Sequence, residues 1–155
     1  MIWLLTIYLV AYASVVLHEL GHATAGVISK RPIASFNIGK GPGLRFTISK
    51  TKVYLGLVPD GGNVTYYRSV DWRKTILILA AGPSINAAIF FVATLMLITD
   101  TSSRLLWIIV CINILATVVN FSSAIKGSDG WNIKQTMARR DAREKDYQDY
   151  LARNP

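Results

Sequence analysis

The chain has 155 residues, enough for one domain, and at 52% hydrophobic content it is too apolar for an ordinary soluble one. Its net charge of +8 raises nucleic-acid binding, but the Lys and Arg residues gather in two stretches, Lys30 to Lys74 and Lys126 to Arg153, and neither carries a recognition motif. These properties exclude a nucleic-acid partner and point to a small α-helical integral membrane protein in contact with a lipid bilayer.

The first apolar run, Ile2 to Leu17, reaches the length of a membrane span, about 20 residues, only by continuing into His18-Glu19-Leu20-Gly21-His22. That segment holds both histidines of the chain. Residues four apart share a helix face, so His18 and His22 can grip one Zn²⁺ while Glu19 stands beside it as general base. Ionisable side chains at the centre of a bilayer cost roughly 2.5 to 3.5 kcal/mol each on insertion scales, so three together mark a functional site. Buried histidines satisfied by core partners are the plainer alternative. Gly21, Ala23, Ala25 and Gly26 permit close packing as the helix, expected over 2–29, runs toward Ser29. A removable signal peptide does not fit: no basic segment precedes the apolar run, and cleavage would fall where the chemistry begins.

Next, Leu44, Phe46 and Ile48 alternate with Arg45, Thr47 and Ser49, and after Lys50-Thr51 the alternation resumes at Val53, Leu55 and Leu57. Period two on both sides of a short polar connection predicts a β-hairpin over 44–58, bounded by Gly39, Gly41, Pro42 and Gly43 and by Pro59, Gly61 and Gly62. Lodged at the membrane face, it can cap the helices or offer an unpaired edge to another chain. A second span is expected over 74–99 and carries Ala80-Ala81-Gly82-Pro83-Ser84-Ile85-Asn86. Small residues there allow close helix contact, and Asn86 is suited to an interhelical hydrogen bond. A third span is expected over 104–126, with Cys111 as a small packing residue. Only Arg104 lies in the turn between these spans, so the positive-inside rule puts the N-terminus outside and segment 30–74 and the tail in the cytoplasm.

Asp129 comes after the third span, on the same side as the two histidines. A His, His, carboxylate set leaves one tetrahedral position open for water, and Asp129 is the best third ligand; Asp100 is on the wrong side, and Asp60 and Asp71 suit turn and cap positions. An N-cap role for Asp129, at the start of a helix near Trp131, is the alternative. The sequence divides into a membrane core, 1–133, and a charged cytoplasmic tail, 134–155, read as a solvated helix.

Together these segments resemble the site-2 protease family of intramembrane zinc metalloproteases, peptidase family M50, over nearly all of Met1 to Trp131. The resemblance rests on four ordered pieces: the His-Glu-Leu-Gly-His helix; Phe36 to Gly43 with the hairpin and Val58-Pro59-Asp60-Gly61-Gly62; Ala81-Gly82-Pro83-Ser84-Ile85-Asn86; and Asp129-Gly130. The chain departs from the family at Ser123, where a Pro is usual, at Lys126 and Gly127, and in a run from Asn120 to Asp129 about one residue longer. Residues 100–103 leave no room for the PDZ domain of many bacterial members. The resemblance implies three transmembrane helices with a membrane-associated β-hairpin, in a bacterial cytoplasmic membrane. It implies one Zn²⁺ per chain on His18, His22 and Asp129, with Glu19 catalytic and Asn86 holding the substrate or the developing oxyanion. The substrate would be a transmembrane protein or peptide, such as a regulatory protein, a peptide precursor or a signal-peptide remnant. Its unwound strand would pair with the hairpin at Leu44, Phe46, Val53 and Leu55. A catalytically silent membrane adaptor that binds partner helices is the alternative function, and a regulatory membrane partner fits either.

Overall fold

The computed structural model describes residues 1–67 and 71–153; Arg68, part of the expected basic loop, and residues 154–155 of the expected tail lie outside the described residues. The chain forms α1 (Ile2–Ile28), β1 (Ile33–Ile48), β2 (Thr51–Tyr66), α2 (Trp72–Thr99), α3 (Arg104–Phe121), α4 (Asp129–Ala138) and α5 (Arg140–Arg153). Of these, α1, α2 and α3 are long and apolar enough to cross a membrane.

Burial is inverted relative to a protein folded in water. Ser14, His18, Glu19, His22, Asn86 and Asn113 are buried, whereas Leu4, Leu5, Leu95, Met96 and Leu115 are exposed. Lipid tails are as apolar as leucine, so nothing drives leucines inward in a bilayer; small and polar groups that need partners occupy the helix contacts instead. Inside α1 the change is longitudinal: its buried residues begin at Ser14 and run to Gly26.

Local chemistry sets the helix ends. Asp71 caps α2 by accepting from the Arg73 and Lys74 amides, starting that helix at Trp72 rather than at 74. Helix α3 stops at Phe121, short of the expected 126, because Ser122 is extended and the Ser128 hydroxyl shares its proton between the carbonyls of Ser122 (2.5 Å) and Ile125 (2.8 Å). The same Ser128 oxygen accepts from the Trp131 amide at 3.1 Å, so Ser128 is the N-cap and Asp129 the first residue of α4. Helix α4 therefore crosses the boundary expected between 133 and 134. The expected single tail helix is replaced by two, α4 and α5, with Arg139 between them.

The hairpin is longer than 44–58 and its register is doubled. Ser35, Phe36, Asn37 and Ile38 face Thr65, Val64, Asn63 and Gly62 on one side and Lys52, Val53, Tyr54 and Leu55 on the other, while Leu44 and Phe46 face Leu55 and Val53. The two strands of this hairpin bend back on themselves, giving the lateral order 43–48, 51–56, 33–38, 62–66, antiparallel at its two outer pairs and with 33–38 and 51–56 running in the same sense. The bend in β1 holds Gly39 and Gly41 at φ +67 and +79, a region closed to most side chains. The sheet lies along α1: Tyr8 donates its hydroxyl proton to the Leu57 carbonyl at 2.6 Å, and Tyr66 donates to the His22 carbonyl at 2.6 Å. At the other face of the bundle, α5 meets the start of α2 through a bond from Trp72 Nε1 to Glu144 Oε2 at 2.8 Å.

Candidate metal centre

Helical spacing puts His18 and His22 on one face of α1, with their Nε2 atoms 3.1 Å apart. The first residue of α4 is Asp129, whose Oδ2 lies 3.1 Å from His18 Nε2 and 3.3 Å from His22 Nε2. Each ring is held from behind by an acceptor: His18 Nδ1 is 2.6 Å from Asn86 Oδ1, and His22 Nδ1 is 2.6 Å from the Ile78 carbonyl. An acceptor behind each ring requires the proton on Nδ1, which leaves both Nε2 lone pairs facing each other and the Asp129 carboxylate. Three lone-pair donors at this separation need a positive charge among them. Ligand atoms about 2.0–2.1 Å from a tetrahedral zinc stand about 3.3–3.4 Å apart, so this triangle is a face of such a site with slight spreading. The chemistry of the donor set fits zinc.

Two glycines make room for the cluster. A Cβ at Gly82 of α2 would sit 2.7 Å from His18 Nε2 and would collide with His22 Nε2 as well. One at Gly62 of β2 would sit 2.7 Å from both Cδ and Oε1 of Glu19. Glu19 is itself buried, 4% exposed, and its Oε2 has no hydrogen-bond partner among the described residues. A buried, unpartnered carboxylate oxygen costs stability and is maintained where a ligand or reacting proton is to meet it.

These groups line one cavity of about 620 Å³ together with Asn86, Asn120, Arg31 and the stretch Gly61 to Tyr66. Arg31 is buried, donating from Nη1 to Thr75 Oγ1 at 3.1 Å and from Nη2 to the Asp71 carbonyl at 2.5 Å. Burial, with help from the Glu19 carboxylate and against the pull of Arg31, pushes the Tyr66 phenol up to about 12, so it remains a proton donor to the His22 carbonyl.

The family model for peptidase family M50 matches residues 6–139, a span that contains every residue of this cluster. The chain belongs to peptidase family M50. Among curated proteins no match is found. Membership in M50 suggests intramembrane metalloprotease activity, and the proteases of this family are zinc-dependent; the three apolar helices fit a membrane location. In this M50 chain the departures at Ser123, Lys126 and Gly127 fall in the loop between α3 and α4, and Asp129 still reaches both imidazoles.

The sequence-predicted residues divide into two groups. His18, Glu19, His22 and Asp129 converge, and Asn86 joins them from behind His18, fully buried and 1% exposed. Leu44, Phe46, Val53 and Leu55 are not among the residues that line the cavity. Val53 and Leu55 have strand neighbours on both sides, and Phe46 and Val53 border a separate hollow with Arg45 and Lys52. The stretch beside Glu19 is instead Gly61 to Tyr66, where the Gly61-Gly62 pair reads in sequence as turn punctuation and as part of the resemblance, not as a neighbour of Glu19. Sequence reasoning missed Ser14 and Asn113, although both leave a signal: Ser14 is one turn before His18, and Asn113 is an amide midway along an apolar helix.

Proposed function

We propose that this M50 chain is an intramembrane zinc endopeptidase that hydrolyses peptide bonds of a membrane-embedded protein or peptide. The observation that carries this reading is the triangle of His18, His22 and Asp129 with the unpartnered Glu19 oxygen at its side. His18, His22 and Asp129 would hold one Zn²⁺ per chain, which when bound supplies the Lewis acidity that makes water a nucleophile near neutral pH and polarises the scissile carbonyl. Glu19 accepts the proton of the attacking water and returns it to the leaving amine. The oxygen that does this has no competing internal bond, and Gly62 confines the side chain from the sheet side. Tyr66 steadies the backbone of α1 at His22.

A helical substrate must unwind before its carbonyl is accessible, and its freed backbone groups then need partners. We place that pairing on the 62–66 border of the sheet rather than on 44–57. Support comes from its position: this border has one strand neighbour, 33–38, and flanks Glu19. Asn86 we assign to orienting His18 rather than to the substrate, since its carbonyl and amide both have protein partners. The distribution of basic residues supports an outside N-terminus, with segment 30–74 and the tail in the cytoplasm.

Metal content and cleavage together test this reading. Detergent-purified wild type should carry one zinc per chain and cut a reconstituted transmembrane peptide; Glu19→Gln should keep the zinc and lose cleavage, and Asp129→Ala should lose or weaken the zinc. Wild type that takes up no zinc after supplementation would overturn the enzyme reading and favour a membrane adaptor.

A further inference from the structure

Behind His18, three helices each contribute one small polar side chain: Ser14 from α1, Asn86 from α2 and Asn113 from α3, all buried, with exposures of 4%, 1% and 2%; Ser14 and Asn86 also border the cavity. Asn113 Nδ2 donates to the Ile109 carbonyl at 2.9 Å. A carbonyl can only accept, so this bond turns the amide of Asn113 and points its Oδ1 inward. That oxygen accepts twice, from the Ser14 hydroxyl at 2.9 Å and from Asn86 Nδ2 at 3.0 Å. Asn86 Nδ2 also donates to Ser14 Oγ at 2.7 Å, closing a three-membered ring of hydrogen bonds. With its amide nitrogen committed, Asn86 can present only Oδ1 to His18, at 2.6 Å.

We infer that Ser14, Asn86 and Asn113 form a relay that fixes the protonated nitrogen of His18, with Asn113 as the positioning residue that gives the relay its direction. The chain of donors and acceptors admits one sense. The Ile109 carbonyl orients Asn113, Asn113 orients Asn86, and Asn86 takes the proton of His18 Nδ1, leaving Nε2 bare toward Asp129 and His22. Reversing the Asn86 amide would set an N–H against Nδ1, move the imidazole proton to Nε2 and block the ligand position. Such a reversal would leave Asn113 Oδ1 and the amide oxygen of Asn86 face to face among buried side chains, a costly arrangement at low dielectric. The inference deepens the metal reading and rests on it for the role of the bare nitrogen; the placement of the Nδ1 proton stands apart from it.

The chain has two histidines, so selective ¹⁵N-histidine labelling of the 155-residue chain in detergent gives two imidazoles, separated by the His22→Gln variant. His18 Nδ1 should carry a slowly exchanging, hydrogen-bonded proton both without metal and with zinc. In Asn113→Leu that proton should exchange faster, zinc affinity measured by chelator competition should fall about 10- to 100-fold, and the Co²⁺ spectrum should change. Ser14→Ala, which removes one member of the ring and leaves the Asn113 bond to Ile109 in place, should fall between Asn113→Leu and wild type. A bare His18 Nδ1 in wild type overturns the relay, as does a folded Asn113→Leu with wild-type zinc affinity and exchange. If Asn113→Leu does not fold, Ser14→Ala and the wild-type proton decide the matter. A protonated Nδ1 in wild type that binds no zinc would sustain the relay while overturning the metal reading.

Discussion

The two imidazoles stand one helical turn apart and are held by unlike means. On the side of His22 the support is backbone: Nδ1 meets the Ile78 carbonyl, and the residue's own carbonyl receives the Tyr66 hydroxyl. On the side of His18 the support is a set of side chains drawn from three helices. A backbone carbonyl is present whatever side chain its residue carries, so the bond to Ile78 needs no special residue. A side-chain relay needs several residues to agree. The difference teaches that His22 is insensitive to most substitutions around it, whereas His18 is exposed to change at three separate positions.

The largest effect should come from a change that ignores the distinction. Gly82→Ala would place a methyl group against both Nε2 atoms, so zinc per chain should drop far below one and cleavage should fall to background, as metal analysis and a peptide assay would show. Glu19→Gln should leave both histidines and the metal intact while cleavage falls about 10²- to 10⁴-fold. Retained cleavage would remove Glu19 from the chemistry.

Asn86→Leu breaks the His18 side alone. Zinc affinity should weaken about 10- to 100-fold while the fold persists, because an apolar residue of similar size leaves no new buried amide. Tyr66→Phe probes the His22 side and should cost about 1 kcal/mol, the worth of one hydrogen bond, in thermal or denaturant unfolding. Its pH dependence has a definite sign. Because folding raises the phenol to about 12, unfolded chains ionise first, so wild-type stability should decline as pH rises from about 10 toward that value, and Tyr66→Phe should lack this decline.

The smallest effect belongs to the tail, remote from both histidines. Hydrogen bonds from Trp72 and Gln148 hold Glu144 below the usual carboxylate range. The contact between α5 and α2 should therefore be present at neutral pH and be lost as pH falls through the lowered value of the folded protein. Glu144→Gln should make limited proteolysis of the tail independent of pH in the acid range without altering cleavage of substrate; altered cleavage would tie the tail to the site.

Much of the fold and half of the site are legible in the primary structure, and the reason is locality. The spacing of His18, Glu19 and His22 needs only helix geometry, the three apolar helices come from length and composition, and Asp71 suits the cap that it forms at the start of α2. The hairpin is visible in part, because 44–58 alternates cleanly, while Ile33 to Lys40 gains its strand character from neighbours on both sides.

The sequence by itself therefore determined which groups could bind a metal and the helix that presents two of them. Asp129 was among those groups, but only the tertiary structure brought it beside the two imidazoles, turned the amide of Asn86, and set Gly62 rather than Leu44 or Phe46 against Glu19. Asp129 lies 111 residues from His18 and Asn86 lies 68 residues away, distances over which no periodicity carries information. Hydrogen-bond direction and strand order are properties of groups brought face to face, and they exist only once the helices and the sheet have packed.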